Sequence, residues 1–265
     1  MLPYLTIFGR QLPTYGLLAA LGVLLALLYL KLRTRSLPGP EEADYQLAFL
    51  FAGLGAAVGA KLLYLLTVLP ELIRDLPLLG EEPLAFLHTY LSGGFVFYGG
   101  LYGALAGLWL YGRVSRGKSM DAYLNRLFPC FPLVHALGRV GCFCAGCCYG
   151  RVTDSALGVA FHVSPNAPNG IPLLPVQLFG AGFELILFAL GAGRARRGVG
   201  GRRLLGLYLL LYAPARFLLE FFRGDAARGF VGALSVSQLI SIPTALLGLW
   251  LLWRGRRTKD AARPL

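Results

Sequence analysis

The chain has 265 residues, of which 56% are hydrophobic and only 14% are charged, and its formal net charge is +12. Ordinary soluble domains carry about 25% charged residues, so this composition excludes a soluble domain. It predicts a single membrane domain over residues 1–265. The basic residues form short clusters between apolar runs, without a basic face interleaved with aromatic residues, so we expect no nucleic-acid partner.

Apolar runs follow one another along the whole chain at lengths of about 20 residues, which is what a membrane helix needs. The first run is too long for a signal peptide and ends in a basic cluster, so we interpret it as a retained helix. The fold class that we predict is an all-α integral membrane protein with about seven transmembrane helices, at roughly 13–31, 45–69, 94–112, 122–144, 173–192, 204–222 and 234–253.

The basic residues of the short loops predict the orientation of these helices. The first, third and fifth loops and the tail contain 16 Lys and Arg residues, whereas the opposite side contains five. This asymmetry predicts that the N-terminus is outside and the C-terminus is cytoplasmic. Residues 70–93 and 145–172 then become outer-face loops that flank the site, the first acidic and the second rich in Gly, Pro and Asn.

Charged residues inside predicted spans are candidates for function, because an ionised side chain at mid-membrane costs about 2.5–3.5 kcal/mol. In the sixth span, Arg216, Glu220 and Arg223 are spaced by four and three residues and so share one helix face. The alternative is an ion pair at the end of the helix that reaches the interface.

The fourth span carries His135 and Arg139, which also share a face. For Arg139 the alternative is a packing salt bridge with Glu220 or Glu184, and for His135 it is a satisfied polar residue of the core. Lys61 and Glu184 are isolated charges, and a structural pair explains them as well as function does.

Two tyrosines stand at the starts of predicted spans, where this residue commonly anchors a helix at the membrane interface. Tyr15 begins the first span. Tyr98 begins the third span inside a run of glycines, which removes bulk around it and makes it a candidate for function.

Four of the five cysteines lie close together in sequence, at Cys142, Cys144, Cys147 and Cys148. Three interpretations stay open: a disulfide or thiol structure, a soft-metal site, and packing of small side chains. The spacing lacks a second ligand pair and nearby histidines, so we expect no bound metal and no cofactor.

The stretch from Pro132 to Arg151, with Gly-Arg-x-Gly at its centre, resembles the signature of bacterial prolipoprotein diacylglyceryl transferases. Further pieces match in the same order over nearly the whole chain. They are Tyr15-Gly16, Gly93-Gly94 to Leu101, Pro175 to Leu178, Tyr212 to Arg223, and Leu234 to Pro243.

The resemblance implies seven membrane helices in the orientation derived above and an enzyme of the bacterial plasma membrane. It implies transfer of a diacylglyceryl group from phosphatidylglycerol, a membrane lipid, to the lipobox cysteine of a prolipoprotein, with glycerol phosphate leaving. The catalytic residues would be Arg139, Arg216, Glu220, Tyr98 and His135, with Glu220 orienting Arg216. The lipid-binding residues would be Arg139, Tyr15, Cys142, Gly150 and Arg223.

The chain departs from the family pattern at four positions: Tyr98 replaces a histidine, Cys142 an asparagine, and Cys147 and Gly180 each a glutamate. A phenol with an ordinary pKa of about 10 is a poor base at neutral pH, which makes His135 the substitute candidate. Two other functions stay open: transfer from another donor or to another acceptor, and lipid binding or transport without catalysis.

Overall fold

The computed structural model describes residues 2–7, 9–92, 94–115, 118–225 and 229–260. Gly93 of the glycine motif and Arg116, Arg228 and Arg263 of the loop count lie outside the described residues. The described part is mostly helical. Its elements are β1 (Tyr4–Ile7), β2 (Arg10–Pro13), α1 (Thr14–Thr34), α2 (Gly39–Thr67), α3 (Leu69–Arg74), α4 (Leu78–Glu81), α5 (Pro83–Ser92), α6 (Phe97–Ser115), α7 (Met120–Leu127), α8 (Cys130–Ala145), β3 (Val159–Ala160), β4 (Pro172–Leu173), α9 (Val176–Arg196), α10 (Gly201–Glu220), β5 (Phe230–Val231), β6 (Leu234–Ser235) and α11 (Val236–Asp260).

Five helical segments of the described chain are long and apolar enough to cross a membrane. The other two predicted spans correspond to α6 and α10, which fall outside this group. Helix α10 carries four charged residues and α6 contains five glycines, which lower its hydropathy. The five segments are Thr14–Thr34, Gly39–Thr67, Met120–Ala145, Val176–Arg196 and Val236–Arg254.

The fourth predicted span is two helices rather than one. Helix α7 ends at Leu127, and α8 begins at Cys130 directly after Pro129. A proline has no N–H to donate and restricts the residue before it, so a helix commonly ends there and a new one begins. The break separates the short amphipathic helix α7 from the apolar helix α8, which carries His135 and Arg139.

Residues Met1–Glu42 and Asp121–Leu265 form one compact unit. Within it, α1 packs on α8, α8 on α9, α9 on α10, and α10 on α11. Small residues let these helices approach closely. A Cβ at Gly22 of α1 would lie 3.0 Å from Leu137 Cβ of α8, and one at Gly248 of α11 would lie 2.7 Å from the backbone nitrogen of Leu210.

Residues Ala43–Met120 form the second unit, in which α2 and α6 meet backbone to backbone. A Cβ at Gly55 would collide with the Gly103 carbonyl, and one at Gly99 would collide with the Gly59 carbonyl. The same unit contains the ammonium group of Lys61, which donates to the Tyr90 carbonyl at 3.0 Å. Lys61 therefore has a structural partner of its own.

The glycine contact between α2 and α6 predicts a position-specific stability loss. Gly55→Ala should lower the thermal stability of the purified protein in detergent, because overpacking a tight contact typically costs about 1–3 kcal/mol. Gly53→Ala, two residues away on α2, meets nothing within 4 Å and should be neutral or stabilising by up to about 1 kcal/mol, because alanine favours helix. Equal melting temperatures for the two variants would contradict the contact.

Candidate active site

Arg139 lies in the C-terminal half of α8, where two neighbouring helices leave room for it. On α9, a Cβ at Gly180 would lie 3.6 Å from Arg139 Nε, so the guanidinium stem passes over the bare glycine. On α1, Tyr15 approaches the α8 backbone at Gly141, where a Cβ would lie 3.0 Å from Tyr15 Cδ2. Arg139 is half-buried and makes no hydrogen bond or salt bridge within the described residues.

Three charged residues from the end of α10 lie together as their spacing predicts. Arg216 pairs with Glu220, and these side chains are only 5% and 3% exposed. Arg216 also donates to Ser237 Oγ at 3.0 Å. Arg223 lies 3.5 Å from the same Glu220 carboxylate and donates through Nε to Asp225 Oδ1 at 2.8 Å.

The three arginines around α8 and α10 differ in their direct partners. Arg216 and Arg223 are matched by the carboxylates of Glu220 and Asp225. Arg139 lies within electrostatic range of Arg216, and in the described part of the chain no carboxylate pairs with it. Glu184 lies within electrostatic range of Arg139, but no salt bridge joins Arg139 to Glu220 or Glu184 among the described residues. The guanidinium group of Arg139 is therefore available to bind an anionic ligand directly.

Glu184 forms its pair with His135 instead. His135 Nδ1 lies 2.7 Å from Glu184 Oε1, and the Tyr208 hydroxyl donates to the same oxygen at 3.2 Å. Tyr208 stacks on Tyr212, which in turn meets the His135 ring edge to face. The carboxylate is 1% exposed and fixes the orientation of the imidazole.

The cysteines converge more than their spacing suggests. Helix α8 ends at Gly146, whose φ of 71° is left-handed, and Cys148 follows with a φ of 54° that is unusual for a residue with a side chain. These turns bring the Sγ atoms of Cys142, Cys147 and Cys148 within 4.8 Å of one another. Cys144 is not part of this thiol cluster.

The thiol cluster has its own electrostatics. Hydrogen bonds shared with the thiols of Cys142 and Cys147 lower the pKa of Cys148 well below its ordinary value. Two nearby guanidinium groups, those of Arg223 and Arg139, act in the same direction, while burial opposes them. The thiol of Cys148 therefore lies beside two fixed cations.

The segment after the thiol cluster is tied to the end of α10 by backbone contacts. Gly150 forms a bridge with Arg223, and Arg151 donates its N–H to the Phe222 carbonyl at 2.8 Å. A Cβ at Gly150 would collide with the Leu174 carbonyl, so a residue with a side chain does not fit at this position. Part of the predicted irregular loop 145–172 is thus fixed against the helix that carries the charges.

Three residues of the site escape a sequence argument based on helix faces: Ser237, Asp225 and Gln177. Gln177 is fully buried, and its Nε2 donates to the Cys147 carbonyl at 2.9 Å. Its Oε1 has no hydrogen-bond partner among the described residues. The Pro-Val-Gln-Leu motif marks Gln177 in the sequence, but no periodicity points to its partner.

Tyr98 belongs to the second unit, so it is described there alone. Its side chain is buried and meets Phe97 edge to face, with ring centroids 5.5 Å apart. Its catalytic role stays a prediction. Tyr15, by contrast, is 42% exposed beside Arg139 and can meet a ligand.

The buried pair of Glu184 and His135 predicts a stability effect. Glu184→Gln keeps the shape but replaces the charged acceptor with a neutral amide oxygen, which weakens both hydrogen bonds, so it should cost about 1–3 kcal/mol in the free energy of unfolding. Glu81→Gln, on an exposed carboxylate of α4, is the matched control and should change little. Tyr208→Phe should lower the stability of the Glu184→Gln protein by less than it lowers that of the unsubstituted protein, because both changes affect the same hydrogen bond. Additive losses of stability would contradict the shared acceptor.

Comparison with known proteins gives one consistent result. Residues 3–254 match the profile of the family described as prolipoprotein diacylglyceryl transferase. A phosphatidylglycerol–prolipoprotein diacylglyceryl transferase of Clostridium tetani is 33% identical over 92% of this chain and 94% of its own length. One from Clostridium perfringens is 34% identical over 92% and 91%, and one from Solidesulfovibrio magneticus is 32% identical over 94% and 92%. This chain, a multi-pass membrane protein, therefore belongs to the prolipoprotein diacylglyceryl transferase family.

Proposed function

We infer that this protein transfers a diacylglyceryl group from phosphatidylglycerol to the lipobox cysteine thiol of prolipoproteins. The observation that carries the inference is the guanidinium group of Arg139, which makes no hydrogen bond or salt bridge in the described residues although Arg216 and Arg223 do. A guanidinium group in apolar surroundings is stabilised when a ligand supplies acceptor oxygens and a negative charge. The phosphodiester of phosphatidylglycerol supplies that charge, and the relatives' names state the reaction.

Arg139 binds the phosphate of the donor lipid. A guanidinium group offers planar, bidentate hydrogen bonds that suit phosphate oxygens and strengthen as the leaving group gains charge. Tyr15 and Cys142 lie beside it, and Gly180 leaves its stem uncovered. Arg216, held by Glu220, is the second cation that stabilises the developing charge.

The acceptor thiol must lose its proton to attack, because its ordinary pKa is about 8.5. His135 accepts that proton, oriented by Glu184. Tyr98 is the other residue that we propose takes part in catalysis. The thiolate sulfur then bonds to the glyceryl carbon as the bond from that carbon to the phosphate oxygen breaks. Glycerol phosphate leaves with the bonding electrons, stabilised by the arginines.

The reaction is proposed to occur at the outer leaflet of the bacterial plasma membrane. Seven spans with the N-terminus outside put the C-terminal ends of α8 and α10 on that side, in one domain over residues 1–265. The supporting observation is the loop bias of 16 basic residues against five. The segments 70–93 and 145–172 then flank the site, and Gly150 and Arg223 lie at the level of the lipid headgroups.

The direct test is transfer of labelled diacylglycerol from phosphatidylglycerol to a lipobox peptide by purified protein in detergent. We expect labelled peptide with cysteine, and none when serine replaces the cysteine. Transfer from a zwitterionic phospholipid at the same rate would indicate another donor. Inactive protein that still binds phosphatidylglycerol would overturn the inference in favour of lipid binding without catalysis.

The charge pattern separates the two arginines by stability. Arg139→Ala should lower the initial transfer rate at least about 10²–10³-fold and leave the melting temperature nearly unchanged, because it breaks no hydrogen bond or salt bridge of the described residues. Arg216→Ala should lower both, because it takes from the buried Glu220 the cation that pairs with it most closely. Arg74→Ala, at an exposed arginine, is the control. Normal rates for Arg139→Ala would remove the support for headgroup binding.

The charged groups also predict how conservative changes act. Arg216→Lys should keep the fold yet lose most of the rate, because lysine lacks the planar fork that binds Glu220 and phosphate together. Glu220→Gln should be milder on the rate if its role is to orient Arg216. A lysine variant with near-normal turnover would show that charge alone is sufficient.

The proposed orientation is checked by reporter fusions. A reporter active only in the cytoplasm should be active after Leu265 and inactive at Glu81, because the tail belongs to the basic side and residues 70–93 to the acidic side. The reverse pattern would move the arginines to the inner leaflet, away from a translocated acceptor.

A further inference from the structure

Among the residues that the structure describes, one group of three potential metal ligands comes together. The Sγ atoms of Cys142, Cys147 and Cys148 lie within 4.8 Å of one another. Zinc–thiolate bonds of about 2.3 Å put two sulfurs of a tetrahedral site about 3.8 Å apart. Small rotations of the side chains would therefore suffice for the thiol cluster to share one ion.

The chemistry of the cluster selects the class of ion. All three ligand atoms are sulfur, without histidine or carboxylate in the group. Thiolates favour soft and borderline ions such as zinc over magnesium and calcium, which take oxygen ligands. Cys130 and Cys144 lie outside the group, although Cys144 is only two residues from Cys142.

The surroundings favour a negatively charged complex. Three thiolates and one divalent ion carry a net charge of about −1. The guanidinium groups of Arg139 and Arg223 lie within electrostatic range of Cys148, so this charge is offset by fixed cations. The negative charge of the complex would therefore lie beside two cations.

The backbone that carries the thiols is already held in place. The Cys147 N–H donates to the Cys142 carbonyl at 3.1 Å, and Gln177 Nε2 donates to the Cys147 carbonyl at 2.9 Å. The Gln177 side chain is fully buried. Outer contacts of this kind orient metal ligands.

We propose that Cys142, Cys147 and Cys148 bind one zinc ion through three thiolates, with the fourth tetrahedral position open to the thiol of the acceptor peptide. Three protein ligands and one open position are the pattern of catalytic zinc sites, whereas structural sites are closed by four. Zinc held there would favour the thiolate form of the acceptor, and His135, the proposed base, would accept its proton. The identity of the fourth ligand rests on the proposed function; the three-thiolate site does not.

The site is tested first by stoichiometry. Protein purified in detergent with reductant, incubated with zinc and desalted, should retain one equivalent by elemental mass spectrometry. Cys142→Ser, Cys147→Ser and Cys148→Ser should each lose it. Cys144→Ser, from the same segment, should keep it. Zinc should also raise the melting temperature of the unsubstituted protein, which does not depend on any variant folding.

Several results would overturn the site. Unsubstituted protein with five free thiols and no retained zinc would do so. A disulfide between two of the cluster thiols, found after alkylation in intact cells, would show that the cluster is a redox structure instead. Loss of zinc from Cys144→Ser as well would show non-specific thiol binding.

The fourth ligand is tested separately with cobalt in place of zinc, because cobalt–thiolate bands report the number of bound thiolates. A lipobox peptide with cysteine should change these bands, and the serine peptide should not. Unchanged bands with full cobalt occupancy would refute the fourth ligand while leaving the three-thiolate site. Altered bands without diacylglyceryl transfer would count against the proposed function and not against the metal site.

Discussion

The cost of an unmatched charge in apolar surroundings governs this structure. Arg216 and Glu220 are almost completely buried, and each is stable there because the other is present. The buried carboxylate of Glu184 is stabilised in the same way by its contacts with His135 and Tyr208. Once these pairs are formed, the guanidinium group of Arg139 is left without a hydrogen bond or salt bridge among the described residues, and its N–H donors are what make the region a site for an anion.

Close backbone approach is the second requirement, because the charges must come from different helices. Gly180 leaves space over the stem of Arg139, and Gly141 brings Tyr15 to the same place. Gly150 lets the segment after α8 cross the end of α10 beside Arg223. The glycines therefore allow the ionic groups to come close together. An ionic group without its partner in a membrane would cost free energy.

Local periodicity allowed part of the site to be predicted from the sequence. Arg216, Glu220 and Arg223 lie on one face because helix geometry fixes neighbours at three and four residues. His135 and Glu184 are 49 residues apart in the sequence. Their contact depends on how α8 packs against α9, which the spacing of residues does not predict. The helices themselves were predictable from apolar runs, except where Pro129 divides one of them.

The thiol cluster was hidden for a different reason. A count of residues between cysteines assumes an ordinary chain path, whereas the left-handed turns at Gly146 and Cys148 fold the chain back on itself. Two of the four departures from the family pattern, Cys142 and Cys147, meet in this cluster, and a third, Gly180, underlies Arg139. Three positions that look scattered in the sequence thus belong to one neighbourhood, and at two of them the resemblance implies sulfur in place of an amide or carboxylate oxygen. Because sulfur and oxygen prefer different partners, such a joint change alters which ligand the site can hold, and not merely how well it packs.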